Sequence, residues 1–289
     1  MTSRARVSLV QRLLPKDLIS AVTYRIARSE RRWISRPLIR WFAGTYGVDL
    51  AEAEHADFDG YPTFNAFFTR ALKPDARPMP EDTRTFLCPA DGKVSQVGAI
   101  TSGPDGDSRI FQAKGIDFSV GELLGDEISA APYRNGNFIT VYLSPRDYHR
   151  VHMPLAGTLR ETVHIPGRLF SVAPFSVDAV PRLFARNERL VCHFEGDHGP
   201  FAVVLVGAML VSSVSTVWGG LEIPPYGNGI TRRTWRDRSI RLERGTELGR
   251  FNMGSTVIVA VPPNRVVWGP ALASQTPVLV RQAIGRSCN

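Results

Sequence analysis

From about residue 85 onward the chain is cut into short Val-, Ile-, Phe- and Leu-rich segments by Gly, Pro, Asp and Asn. "GKVSQVGAI" (92–100), "NFITVYL" (137–143), "LVCHFE" (190–195), "FAVVLVGAMLVSSVSTVW" (201–218) and "STVIVAVP" (255–262) are the clearest. β-Branched and aromatic runs of this length, bounded by turn formers, read as strands of a mainly antiparallel β architecture. No period of 20–50 residues marks a solenoid. Hydrophobic residues make up 43% of the chain, enough to fill a core and to exclude disorder. The expected fold is therefore α+β: a β-rich unit over 81–289, barrel- or sandwich-like, behind a helical region over 1–80.

One uncharged stretch, residues 199–221, is long enough on paper to span a bilayer. Ser212, Ser213, Ser215 and Thr216 crowd its second half, and Gly207, Gly219 and Gly220 interrupt it. Two buried strands joined by a bend fit it better than a membrane helix.

The charge is unevenly placed. The chain has 35 Lys and Arg against 27 Asp and Glu. Residues 1–40 hold ten of the bases, from Arg4 to Arg40, against Asp17 and Glu30, which is the whole excess. These arginines interrupt every apolar run, so the segment is not a signal peptide. Leu13, Leu14, Leu18, Val22 and Ile26 recur near helical spacing, as do Trp33, Ile34, Leu38, Trp41 and Phe42. A basic amphipathic helix with Trp and Leu on one face suits an anionic membrane interface. The bland alternative is a hairpin packed on its own domain with solvated arginines. No nucleic-acid motif follows, so no nucleic-acid partner is expected. "YPTFNAFFTRALKPDARP" (61–78) reads as a further short helix, with Thr63 as N-cap and Phe64, Phe67 and Phe68 facing inward. Cys88, Cys192 and Cys288 form no CxxC pair, which argues against a disulfide framework or a thiolate zinc site and for a reducing compartment.

Three features carry chemistry. In "CPADGKV" (88–94), Asp91-Gly92 forms a turn before a strand, where an Asp is most often a turn former. In "LSPRDYHRVHMPLAG" (143–157), Ser144, Pro145 and Asp147 resemble a helix start, and a helical turn would put His149 and His152 on one face. That pair could serve acid–base chemistry, hold a metal or be structural; no third or fourth ligand stands at a telling distance. The third feature is Gly254-Ser255 at the mouth of a strand. An esterase elbow needs G-x-S-x-G, but Met253 and Val257 occupy the flanking positions and a strand follows. Glycine before serine also permits strained dihedrals and a close approach to its carbonyl. Attack by the Ser255 hydroxyl on the Gly254 carbonyl would give an ester. Elimination would then cut the chain, and the dehydroalanine so formed would hydrolyse to a pyruvoyl group.

"FNMGSTVIV" resembles the self-cleavage site of bacterial phosphatidylserine decarboxylases, whose usual tetrad is Leu-Gly-Ser-Thr; Met253 is an apolar replacement of similar size. "YPTFNAFFTRALKPDARP", "PADGKV", "FQAKGIDFSVGELLG", "YLSPRDYHRVHMPLAG", "VGAMLVSSVSTVWGG" and "ELGRFNMGSTVIV" are similar to blocks of that family, in its order, from about residue 61 to 259. "LLPKDLISAVTYRIARS" is also similar, whereas "VSSVST" is a looser match from which nothing is drawn.

The resemblance implies a proenzyme cut into a β chain, 1–254, and an α chain, 255–289, that begins with a pyruvoyl group at position 255. It maps the family's cleavage triad onto Asp91, His152 and Ser255, and its other histidine, active in decarboxylation, onto His149. It further implies a pyruvoyl cofactor with neither metal nor PLP, a homodimer, and phosphatidylserine as substrate. The place of action would be the cytoplasmic face of the cell membrane, with the protein peripheral. Loss of CO₂ from an amino acid needs an electron sink, which a pyruvoyl carbonyl supplies as PLP does elsewhere. An uncleaved serine hydrolase using Ser255, His152 and Asp91 is the alternative. A non-enzymatic β-module of the lipoyl or phosphocarrier type would need neither the histidines nor the basic helices.

Overall fold

The computed structural model describes residues 16–208, 213–223, 229–252 and 255–288; for residues 16–21 and 255 it describes the backbone alone. The N-terminal region is helical: α1 (Lys16–Ala27), α2 (Arg32–Tyr46) and α3 (Phe64–Phe68). Helix α2 stops at Gly47, whose left-handed φ of 65° lets its N–H cap the carbonyl of Ala43. Ser35, Ile39, Phe42 and Ala43, at helical spacing, form its buried face. Phe42 meets Phe64, Phe67 and Phe68 of α3 edge-on, with ring centroids 5.0–6.2 Å apart. Thr63 caps α3 as expected, its Oγ1 accepting from Ala66 N at 3.0 Å, and all three phenylalanines of α3 are buried.

The opposite surface of the hairpin is exposed. Val22 and Ile26 lie one turn apart on α1, and Trp33 and Trp41 two turns apart on α2; the tryptophans are 72% and 60% exposed. The hairpin thus both packs on its own cluster and presents apolar residues outward. Leu13 and Leu14, and the side chain of Leu18, lie outside the described residues.

The rest is strands: β1 (Thr85–Leu87), β2 (Gly92–Ala99), β3 (Thr101–Ser102), β4 (Ser108–Ala113), β5 (Ile116–Ser119), β6 (Asn137–Leu143), β7 (Arg150–His152), β8 (Gly157–Ile165), β9 (Arg189–Gly196) and β10 (Gly199–Val206). There follow β11 (Val214–Thr216), β12 (Gly220–Ile223), β13 (Thr231–Thr234), β14 (Arg241–Leu242), β15 (Glu247–Phe251), β16 (Ser255–Val261), β17 (Val266–Trp268), β18 (Pro277–Val278) and β19 (Ala283–Ser287). The main sheet runs β13-β8-β9-β10-β16-β6-β2-β18, with β14 also on β8. All its pairings are antiparallel, and its two edges do not pair with each other, so it is an open sheet and not a closed barrel.

Both faces of this sheet are covered. Val141, Leu143, Val203, Leu205, Val257 and Val259 pack with residues of β7, β11, β12 and β15 on one side. Phe138, Val204, Val206, Ile258 and Ala260 pack with Phe118, Leu123 and Phe184 on the other. This double burial explains the near-continuous apolar run of β16, whose Val257, Ile258 and Val259 are all fully buried. Each contributes about 1.5–3 kcal/mol by leaving water. The charge-free stretch is no membrane helix: residues 199–206 are β10 and 214–216 are β11. Among the described residues no helix is long and apolar enough to cross a membrane.

Candidate active site

Antiparallel pairing fixes where Ser255 stands. β16 lies between β10 and β6, and Ser255 is in register with Leu143, the last residue of β6. The Ser144–His149 segment leaves the sheet from this point, and the carbonyl of His149 accepts from Phe251 N, four residues before Ser255. Gly254 and the side chain of Ser255 lie outside the described residues.

The Ser144–His152 segment is not the helix its sequence suggests. It is a turn that runs into β7. Asp147 Oδ2 accepts from both Ser144 N (2.6 Å) and Ser144 Oγ (2.7 Å), reversing the capping arrangement, and β7 pairs with β15. Tertiary pairing overrides the local helix signal, so His149 and His152 do not share a face. Their surroundings differ accordingly.

His149 is fully buried, with its ring 3.9 Å from that of Phe68. Its Nδ1 is 2.8 Å from the carbonyl of Asp147; because a carbonyl only accepts, Nδ1 carries the proton. Nε2 keeps a lone pair and has no hydrogen-bond partner among the described residues. Burial pushes the pKa of His149 down from 6.5 to about 3. The main-chain carbonyl of the same residue accepts from Phe251 N at 3.0 Å, so His149 is tied to the strand that leads to Gly254.

His152 uses both ring nitrogens. Nδ1 donates to the carbonyl of Gly245 at 2.9 Å, and Nε2 therefore accepts from the Tyr148 hydroxyl at 3.0 Å. Gly245 adopts φ +76° and also accepts from Arg281 Nε at 2.9 Å. Burial lowers the His152 pKa, with the Gly245 hydrogen bond opposing. Burial also raises that of Tyr148, so this hydroxyl keeps its proton.

Asp91 has a different partner from the one its triad role implies. Oδ1 accepts from Val280 N (2.7 Å) and Arg77 Nε (3.2 Å), while Oδ2 accepts from Arg77 Nη2 (2.6 Å). No hydrogen bond joins Asp91 to His152 among the described residues; they connect indirectly, through Val280–Arg281 and the carbonyl of Gly245. Gly92 is obligatory here, since a Cβ would lie 2.1 Å from the carbonyl oxygen of Tyr142.

A cleft of about 550 Å³ opens beside this corner, lined by Tyr46, Asp91, Lys93, Tyr142, Ser144 and Arg146. A neighbouring one of about 250 Å³ shares Asp91, Arg146 and Asp147 and adds Arg70, Arg77 and Tyr148. Arg70 supports the wall by donating to the carbonyl of Arg146 at 2.8 Å. Among the described residues no group of three or more His, Cys, Asp or Glu could hold a metal ion.

Residues 64–286 match the family model described as "Phosphatidylserine decarboxylase", and residues 7–47 match a second described as "PSD". The chain belongs to the phosphatidylserine decarboxylase family. It is similar to the phosphatidylserine decarboxylase proenzyme of Xanthomonas euvesicatoria pv. vesicatoria, at 57% identity over 274 residues that cover 95% of this chain and 96% of the relative. The proenzyme of that name from Stenotrophomonas maltophilia is 54% identical over 273 residues, covering 94% and 96%.

Beside these positions the fold places residues that sequence reasoning did not single out. Arg77, Tyr148, Gly245, Asn65, Asn252, Ser213 and Ser215 all contact the site or the strand leading into it. Asn65, Arg77, Tyr148, Asn252 and the two serines lie within the sequence blocks that resemble the family's, whereas Gly245 lies outside them.

Proposed function

We propose that the chain decarboxylates phosphatidylserine to phosphatidylethanolamine, using a pyruvoyl group made from its own Ser255, at the cytoplasmic face of an anionic membrane. The observation that carries this reading is Nε2 of His149, without a partner among the described residues, a buried base on the residue that hydrogen-bonds to the strand entering Gly254. A buried imidazole with one proton-bearing and one open nitrogen is costly unless a reacting group completes it. Thr256 Oγ1, beside Ser255, is a second buried polar atom without a partner among the described residues. His149 Nε2 can accept from a donor on a group bound there, and the Thr256 hydroxyl can donate to a carbonyl at position 255.

Maturation begins when Ser255 Oγ attacks the Gly254 carbonyl carbon and the Ser255 nitrogen leaves as an amine, giving an ester. Loss of the Ser255 α-proton then expels Gly254 as a carboxylate. Water replaces the nitrogen, releasing ammonia and leaving the ketone. His152 takes the serine proton in this scheme. Its fixed Nδ1–H leaves Nε2 as the basic atom, and Tyr148 must yield that atom for the transfer. Asp91 acts through Val280 and Arg281 on the carbonyl that orients His152.

In the mature enzyme the pyruvoyl carbonyl supplies the electron sink for the pair left by CO₂. His149 enters this chemistry neutral, so any proton it gives to the α-carbon is one it has first accepted. Phe68 and the surrounding burial keep water from that proton. Trp33, Trp41, Val22 and Ile26, with the neighbouring arginines, would hold the cleft at the headgroup plane.

The test is formation of phosphatidylethanolamine from phosphatidylserine vesicles by wild type, Ser255→Ala and His149→Ala. Wild type alone should turn over. An active Ser255→Ala variant, or ester hydrolysis without decarboxylation, would overturn the reading.

A further inference from the structure

Asn252 lies two residues before the proposed scissile bond and is 5% exposed. Every hydrogen-bonding group of its side chain is engaged. Nδ2 donates to Ser213 Oγ and to Ser215 Oγ, each at 2.9 Å, and Oδ1 accepts from Asn65 Nδ2 of α3 at 3.3 Å. Its backbone N–H also donates to the carbonyl of Ser213 at 2.8 Å. Ser213 Oγ in turn accepts from Arg28 Nη2, just beyond the end of α1, at 3.1 Å. Its partners come from two distant regions of the chain, so no local turn requires an asparagine here.

The preceding residue is held from the other side, since Phe251 N donates to the carbonyl of His149. Beyond the bond, Ser255 and Thr256 are fixed by their register with Leu143 and Tyr142. Only Met253 and Gly254 lie between these two restraints. An intramolecular attack gains most when its partners are held close to the reactive geometry, and small misplacements are costly.

We propose that Asn252, in its cradle of Ser213 and Ser215, is the positioning residue for chain scission at Gly254-Ser255. Asn252 holds the acyl side of the bond while β16 holds the amine side. It therefore acts on maturation and not on lipid turnover, because after the cut it belongs to the β chain and no longer restrains the chain that begins at 255. The inference rests on the self-cleavage reading above.

The test follows scission of freshly synthesised full-length protein over time in wild type, Asn252→Leu, Asn252→Asp and Ser215→Ala. Each variant is checked for folding by circular dichroism. Asn252→Leu should slow scission at least tenfold. Ser215→Ala, which removes one hydrogen bond from a folded cradle, should slow it by severalfold. Asn252→Asp should recover much of the rate, because both serine hydroxyls can rotate to donate to the carboxylate. Matured protein from every variant should retain kcat and KM per pyruvoyl group within twofold. Scission within twofold of wild type in both Asn252→Leu and Ser215→Ala would overturn the positioning role, as would a fall in turnover per pyruvoyl matching the fall in scission. If wild type itself is never cut, the self-cleavage reading fails and the positioning role falls with it; a cut wild type beside equally fast variants sinks the positioning role alone.

Discussion

Replacing Arg77 by methionine removes the cation that grips Asp91. The two side chains are 7% and 8% exposed, and two hydrogen bonds join them, at 2.6 and 3.2 Å. Without Arg77 the carboxylate keeps Val280 N as its one remaining hydrogen-bond partner among the described residues. Breaking one half of a buried ion pair costs about 3–5 kcal/mol. The cleft beside Asp91 can admit water, which holds the cost toward the lower figure. The outer contact of Arg77 with Glu52 adds little, because Glu52 is 56% exposed. At roughly 2–4 °C per kcal/mol in a chain of this size, the midpoint of thermal unfolding should fall by about 10 °C. Asp91→Asn leaves Arg77 buried beside a neutral amide and should cost about 1–3 kcal/mol. The double variant should lose less than the sum, with a coupling of about 2–3 kcal/mol. Denaturant unfolding in a Ser255→Ala background keeps every chain uncut and makes the four proteins comparable. Additivity within about 0.5 kcal/mol would refute the pairing of Asp91 with Arg77 and put the Asp91 carboxylate elsewhere.

His149 has its pKa lowered from 6.5 to about 3, so its neutral form stabilises the fold fully above pH 6.5, and that contribution is lost as pH falls toward 3. The loss is about 5 kcal/mol at most, and His149→Gln should flatten the decline of unfolding midpoint between pH 7 and 4. Lys93 and Arg146 are exposed cations lining the larger cleft; replacing both with alanine should raise KM for phosphatidylserine by roughly tenfold or more, one to two charge-assisted hydrogen bonds, with the cut chain still formed. Substituting Trp33 and Trp41 with alanine should weaken binding to anionic vesicles by roughly tenfold each, in line with lost apolar burial. Sedimentation with vesicles measures it, and unchanged binding would move the membrane contact elsewhere.

Much of the fold is legible in the sequence because its cues are local. Thr63 three residues before Ala66 announces a cap, and the β-branched run 256–261 announces a strand buried on both faces. Asp91-Gly92 reads correctly as a turn before a strand. The site is less legible because long-range contacts build it. Asn252 meets Ser213 and Asn65 across 39 and 187 residues, and Asp91 meets Val280 across 189. The HxxH segment misleads for the same reason. Ser144, Pro145 and Asp147 satisfy a helix start, but pairing of β7 with β15 takes the backbone hydrogen bonds that a helix would use. The periodicity of α2 mixes two surfaces: Phe42 faces the core while Trp33 and Trp41 face outward, and spacing alone does not say which apolar residues the protein keeps for itself.

Intact mass spectrometry of the purified chain tests whether the protein breaks its own Gly254-Ser255 bond. Two species are expected, a large fragment ending at Gly254 and a 35-residue fragment, 255–289, whose N-terminus is a pyruvoyl group and resists Edman degradation. Ser255→Ala should give one full-length mass. A wild-type protein of full-length mass alone, indistinguishable from Ser255→Ala apart from the one oxygen, would contradict the account.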